Sequence, residues 1–357
     1  MLKTIYITFI ITFLINLLYG QDGIFHGLIN EELLSELVVN YKPDSVLTYA
    51  DTRDSMYRNV YLQNGSGECY YTGRTIELPI DVDPSAFLNN YDDPIVINTE
   101  HIYPQSKGAR EGFARRDMHH LIPVIRQANE ARSNYTFAEI DDNDTDRWFY
   151  KTDIFRNTPL DDKSLFSEVQ NGGFGNIGRF EPRESVKGDV ARAVFYFYTM
   201  YREEADAEDP EYFHLMKDQL YEWHLNDPSD SLEIVRNELK AAYQEGKVNP
   251  YIIDCSLVGR AFFDSGSLNC SSLLSTSSHE LPFDKVYIYP NPVKDFIFIE
   301  GINKSVTVRV INPIGKIKLF SNSDNEIRVT TLPSGLYFLQ LLKSNNDHII
   351  VKRFIKK

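Results

Sequence analysis

Asn98–Ser106 reads NTEHIYPQS and sets Glu100 directly before His101, shortly ahead of Pro104. The residues that follow, KGAREGFARRDMHHLIPVIRQANEARSNYTF, add Asp117, His119, His120, Asn129 and Arg132, with Lys107, Arg110, Arg115, Arg116 and Arg126 among them. That mixture suits hydrolysis of a phosphodiester. The chemistry needs a hard cation on the non-bridging and leaving oxygens, a base for the attacking water, and cationic side chains for the flanking phosphates. Magnesium takes oxygen donors and keeps several waters, so one carboxylate and one amide suffice. Glu100 and Asn129 fit that role, with manganese or calcium as alternative ions. A histidine titrating near its ordinary value of about 6.5 accepts a proton at neutral pH, which makes His101 the candidate base.

The elements that must position these groups are partly legible. Neighbouring residues on a strand face opposite ways. Glu100 and His101 can therefore serve one site only where the strand kinks or ends, and Pro104 predicts that it does. LIPVIRQANEARSN reads as a helix with a proline near its start. On it Arg126, Asn129 and Arg132 recur every three residues and share a face. Each residue also has a plainer role open to it. His119 and His120 read as a core histidine and a hydrogen-bond partner, Asp117 as a cap or brace, and Arg132 and Asn134 as ties to nearby backbone. Glu100, His101 and Asn129 could be a surface pair and a solvated amide.

Farther along, ESVKGDVARAVFYFYTMYREE carries Val186, Val190, Ala193, Val194 and Phe197 as one helical stripe, and FHLMKDQLYEWHLND and SLEIVRNELKAAYQEG read as two more helices. The acidic runs Asp141–Asp146 and Glu203–Glu211 read as solvated loops. The fold class expected is α+β: a mainly helical domain over residues 21–263, then a small all-β sandwich-like domain over 281–357. A serine-rich linker, 264–280, joins them. The first 20 residues have an early lysine and an apolar run too short for a spanning helix, which predicts a signal peptide, export, and no membrane span in the mature chain.

The chain has 357 residues and a formal net charge of −14. Residues 281–357 hold 12 Lys+Arg and 6 Asp+Glu, whereas residues 1–280 hold 25 against 45, a net of −20. A broad basic face for a polyanion is therefore excluded in the larger part; contact with nucleic acid there must be local and metal-assisted. Export permits a disulfide, and Cys255 with Cys270 is the pair favoured by spacing, leaving Cys69 over.

Two resemblances follow. NTEHIYPQS, DMHHLIP and QANEARSNYTF resemble, in order, the Glu-His strand, the D-L-H-H-L-x-P strand and the N-x-x-R-x-N helix of the endonuclease I family. KGDVARAVFYFYTMY, LYEWHLNDPSDSLEIVRN and KVNPYIID resemble its later segments. The likeness spans residues 30–263 and implies a ββα-metal motif, with Glu100 and Asn129 as metal ligands and His101 as general base. It implies an endonuclease acting on DNA, with RNA as a second substrate, and leaving 5′-phosphates; little sequence preference and a monomer are expected. His120, Asp117 and Arg132 would support the site or meet phosphate. The family arginine that steadies the cleaved phosphate has three candidates here, Arg110, Arg115 and Arg116. Thr99 and Tyr103 stand where arginine and tryptophan are common, which bears on substrate grip. The tail, with YPNP, INPIGK, LPSGLYFLQL and the basic end VKRFIKK, resembles the C-terminal sorting domain of the type IX secretion system. It implies that machinery as a partner and a secreted or cell-surface product. The rival reading is a non-catalytic, surface-displayed polymer-binding protein on a nuclease-like fold; loss of the Glu-His-Asn set would mark it, and all three residues are present.

Overall fold

The structure is a computed structural model that describes residues 23–62, 65–90, 95–172, 177–263, 287–300, 306–311, 317–323, 325–342 and 349–357. The signal peptide, the serine-rich linker and Cys270 lie outside the described residues.

Both helices and strands build the N-terminal region. Thr48 opens the helix Tyr49–Ser55 by accepting from the Asp51 N–H, and the helix continues as a π-helical segment, Met56–Tyr61. Then come two antiparallel strands, Ile97–His101 and Leu121–Ile125, in which Glu100 stands opposite Ile122 and His101 opposite Leu121. The helix Arg126–Arg132 follows without a loop. Pro123 is therefore in a strand and not at the start of a helix. The sheet has only these two strands, so a residue without an N–H costs no interior ladder bond. A five-stranded sheet comes next, with strand order Thr136–Phe137, Arg179–Glu181, Ser167–Gln170, Arg147–Tyr150, Asp153–Phe155.

The helix Lys187–Met200 is the centre of the core. Its stripe is wider than the sequence pattern suggested: nearly every residue from Val190 to Met200 is buried, Tyr196 and Thr199 included. A helix buried all round must satisfy its polar side chains internally. Thr199 bonds Tyr251, and Tyr196 donates to Asp117. Full burial of one aliphatic or aromatic side chain contributes about 1.5–3 kcal/mol, so this helix organises the domain. The acidic run expected as a loop instead forms the helix Arg202–Glu208, while Asp141–Asp146 remains a largely exposed turn. The helices Lys217–Asn226 and Ser231–Ala241 form where the periodicity placed them.

Between the two site strands runs a long loop. The strand ends at His101, and Pro104 caps the short 3-10 turn Gln105–Lys107, as the proline predicted. Gly108 follows at φ 124°, and a Cβ there would come within 2.8 Å of the Ala205 backbone, so only glycine permits this approach. Asp117 then caps Met118–His120 by accepting from the His119 N–H. The same oxygen, Oδ1, also accepts from Gln244 at 2.9 Å, and Oδ2 accepts from Tyr196 and Tyr201, both at 2.8 Å. The brace role suggested for Asp117 is the one it plays.

Among the described residues the tail has seven antiparallel strands in the order read from the sequence: three in one sheet and four in another. One buried cluster draws on both, with Ile297, Ile299 and Ile327 from the first and Val308, Val310, Leu339 and Phe354 from the second. The two sheets thus share one core. Cys255 is disulfide-bonded and Cys69 is free and buried.

Candidate active site

A polar cleft of 320 Å³ is lined by Thr99, Glu100, His101, Gln105, Asn129 and Arg132, among others. Two strands and one helix bring them together. Glu100 and His101 border the same cleft because their strand stops there, and the helix that begins at Arg126 carries Asn129 and Arg132 beside them.

Glu100 is almost wholly buried. Two side chains fall on Oε1: the Tyr71 hydroxyl donates at 3.1 Å, and Arg132 Nε lies 3.4 Å away. Neither takes Oε2. Burial pushes its carboxyl up to about 7 against the opposing pull of Arg132, of Tyr71 and of the His101 backbone N–H. The Asn129 side chain, half-buried, makes no hydrogen bond to another described residue.

His101 has a tautomer fixed by its surroundings. Its Nε2 lies 3.1 Å from the Arg115 carbonyl oxygen, which can only accept, so Nε2 carries the hydrogen. The lone pair is then on Nδ1, which Gln105 approaches at 3.4 Å from the cleft side. Burial lowers its pKa to about 3, helped by the nearby His120 and opposed by the hydrogen bond to the Arg115 carbonyl, so the ring is neutral. A neutral, oriented imidazole with a lone pair at a polar cleft can take a proton from water.

His120 and His119 hold the loop and take no part in the cleft. Each points Nε2 at a backbone carbonyl, Ala114 at 2.7 Å and Lys247 at 2.9 Å, and burial lowers each pKa to about 4. Arg132 is wholly buried, gives its amino groups to the Ile102 carbonyl and Tyr212, and lies over Phe137 at 4.6 Å. It is a brace that also touches Glu100. Of the three arginine candidates, Arg110 is exposed and Arg116 is turned to the carbonyls of Gly112 and Leu47. Arg115 lies over Tyr49, whose ring is beside His101. Tyr103 is fully buried and stacked on Phe197 at 4.2 Å, so its contribution is packing, and substrate grip does not pass through it. Sequence reasoning missed Tyr71, Tyr49 and Gln105. Gln105 was within the quoted motif; Tyr49 and Tyr71 come from distant segments and carried no local signal.

The donors present fit a hard divalent cation: one carboxylate whose Oε2 no side chain takes and one amide oxygen with no hydrogen bond among the described residues, on a polar cleft. The three-carboxylate group Glu139, Glu181 and Glu184 lies elsewhere, and its oxygens are within 4.8 Å of one another. Lys187 Nζ donates to all three at 2.6–2.7 Å, so the protein supplies that cation itself.

Residues 33–255 match the family profile for Endonuclease I. The chain belongs to the endonuclease I family. Residues 287–357 match the secretion system C-terminal sorting domain, so the endonuclease I region is followed by a type IX sorting domain. Two extracellular ribonucleases are similar to part of this chain. That of Bacillus subtilis (strain 168) is 29% identical over 167 residues, 43% of this chain and 50% of that protein. That of Bacillus amyloliquefaciens is 29% identical over 171 residues, with the same coverage. The chain thus spans about half the length of these curated relatives. Among solved structures, PorZ of Porphyromonas gingivalis, a surface component of the type-IX secretion system, aligns at a TM-score of 0.20 with 22% identity, covering 23% of this chain and 12% of that one. A likeness that slight carries no argument about fold. No described helix is long and apolar enough to cross a membrane.

Proposed function

We propose that this protein is a secreted, metal-dependent nuclease that hydrolyses phosphodiester bonds in nucleic acid with little sequence preference, and that the two strands and helix around Glu100 are its ββα-metal motif. The observation that carries this reading is His101: a neutral imidazole whose Nδ1, met by the Gln105 amide at 3.4 Å, faces the cleft that Glu100 and Asn129 border. Glu100 and Asn129 would hold magnesium, with manganese or calcium as substitutes. When bound, the ion supplies charge neutralisation at the pentacovalent phosphorus and the leaving 3′-oxygen. His101 Nδ1 takes the proton of the attacking water, while the Arg115 carbonyl keeps Nε2–H and therefore the ring orientation. Tyr71 and Arg132 hold Glu100 in place through Oε1. Arg115 is the arginine we assign to the cleaved phosphate, because it is held beside His101 by Tyr49 and pairs with no carboxylate among the described residues.

The family profile favours DNA, and the names of the two bacilli relatives add RNA, so both substrates enter the test. The sorting domain supports export across an outer membrane through type IX machinery, and the protein is proposed to act outside the cell or on its surface as a monomer. The test incubates purified protein with supercoiled plasmid or structured RNA and magnesium, alongside EDTA and His101→Ala controls. Cleavage lost in both controls supports the assignment. Cleavage that survives His101→Ala moves the base elsewhere, and no cleavage with any of the three metals leaves the polymer-binding protein.

A further inference from the structure

Beside His101 gathers a group of side chains of which the proposed chemistry uses Arg115, steadied by Tyr49, and leaves Arg53 without a role. The Tyr49 ring centroid is 5.8 Å from that of His101. Around the same Tyr49 ring stand two guanidinium groups, Arg115 at 4.4 Å and Arg53 at 5.1 Å. Tyr49 and Arg53 are four residues apart on the helix Tyr49–Ser55 and so share a face. One turn on, the Tyr57 hydroxyl meets Thr99 Oγ1 at 2.7 Å, which ties this helical segment to the strand that carries Glu100.

Arginines in an acidic protein ordinarily find carboxylates. Residues 1–280 carry 45 Asp+Glu against 25 Lys+Arg, yet neither Arg53 nor Arg115 forms an ion pair among the described residues. The Nε of each is also buried without a hydrogen-bond acceptor. The plain account is stacking on tyrosine, worth about 0.5–1 kcal/mol at a partly exposed site. Stacking explains where the guanidinium planes lie but leaves their in-plane donors unused. Planar guanidinium donors match phosphate oxygens, and two such cations unopposed by carboxylates next to a phosphodiester-cleaving base form an anion seat.

We propose that Tyr49 and Arg53 form a flanking subsite, in which Arg53 binds the phosphate of a nucleotide neighbouring the scissile one and Tyr49 sets the plane of its guanidinium. The protein would then favour a polynucleotide over an isolated phosphodiester. The inference rests on the nuclease reading. Its own content is that recognition extends beyond the scissile phosphate toward the helix Tyr49–Ser55.

The test compares hydrolysis of a short single-stranded oligonucleotide with that of bis(p-nitrophenyl) phosphate, which has no neighbouring phosphate. For Arg53→Gln, the ratio of kcat/KM on the oligonucleotide to that on the small diester should fall about tenfold or more. The slope of log KM for the oligonucleotide against log salt should shrink by about 0.7, the value for one phosphate contact on a single strand. Arg53→Lys, which keeps the charge and loses the fork, should restore the salt slope but only part of the ratio. If Arg53→Gln melts early, Arg53→Lys with an unchanged Tm carries the test through its lowered ratio. Equal losses on both substrates, or an unchanged salt slope, would overturn the subsite and leave Arg53 a structural residue. Wild-type protein that hydrolyses neither substrate overturns the nuclease reading itself, and the subsite with it.

Discussion

Around Lys187, carboxylates from Glu139, Glu181 and Glu184 all accept from one ammonium at 2.6–2.7 Å, whereas in the cleft Glu100 meets Arg132 on one oxygen only, at 3.4 Å. Both places bury an acid; Glu181 and Glu100 are similarly inaccessible. The difference is in what completes them. The Lys187 cluster closes on a charge from its own chain and needs nothing from solution. Glu100 keeps an oxygen that neither neighbour takes, beside an amide that no neighbour takes. A buried acid group by number of carboxylates is therefore a poor guide to a cation site here, and the smaller set is the better candidate.

The sharpest way to break that comparison is at the base. His101→Ala should lower kcat about 10²–10⁴-fold with little change in Tm, measured by plasmid nicking and thermal melting. A fall of less than tenfold would remove the cleft's claim to chemistry. Lys187→Met should do the reverse. Stripping the cation from a mostly buried cluster costs about 3 kcal/mol, discounted at the half-exposed Glu139 and Glu184, and denaturant titration should show it with residual activity intact at low temperature. Magnesium should then separate the two places by stability. At about a hundredfold excess over its Kd, a bound ion adds about 2.7 kcal/mol to the wild type, and Glu100→Ala should lose that increment while Lys187→Met keeps it. A magnesium effect that disappears in Lys187→Met would exchange the roles assigned above.

The smallest effect is in pH. Burial lowers the pKa of His224, which points Nε2 at the Cys255 carbonyl, to about 4, and that of His119 likewise. The unfolded histidines take up protons first, near their ordinary value of about 6.5. Stability should therefore fall as pH drops from about 6.5 toward 4, and level off below. His224→Gln should flatten part of that slope in melts run between pH 7 and 4.5; an unchanged slope would show that His224 charges in the folded state.

Much of this was legible in the chain because the relevant signals were local. The seven tail strands alternate with period two between Pro, Asn and Gly breaks, and all seven formed. Glu100, His101 and Asn129 lie within thirty residues, and the strand end at Pro104 is a sequence-local event. What failed was decided by tertiary packing. Pro123 reads as a helix start, but pairing with Thr99 puts it in a strand. The run from Glu203 reads as a solvated loop, yet it is helical, with Ala205 buried against Gly108. Arg132 has the spacing of a phosphate ligand, but its donors go to Ile102 and Tyr212, partners that only the closed fold supplies. Tyr71 and Tyr49 reach the site from segments with no chemical signature of their own.

The strand end at His101 has a consequence for how the gene can change length. One residue gained or lost between Ile97 and Glu100 would swing the carboxylate to the opposite face and present another side chain in its place. The nineteen residues between His101 and Leu121 are a loop, fixed at Gly108, at the Ala114 and Arg115 carbonyls and at Asp117, with Arg110–Phe113 exposed. Indels should accordingly be tolerated around Arg110–Phe113 and eliminated a few codons upstream, so that the two stretches record very different histories of insertion.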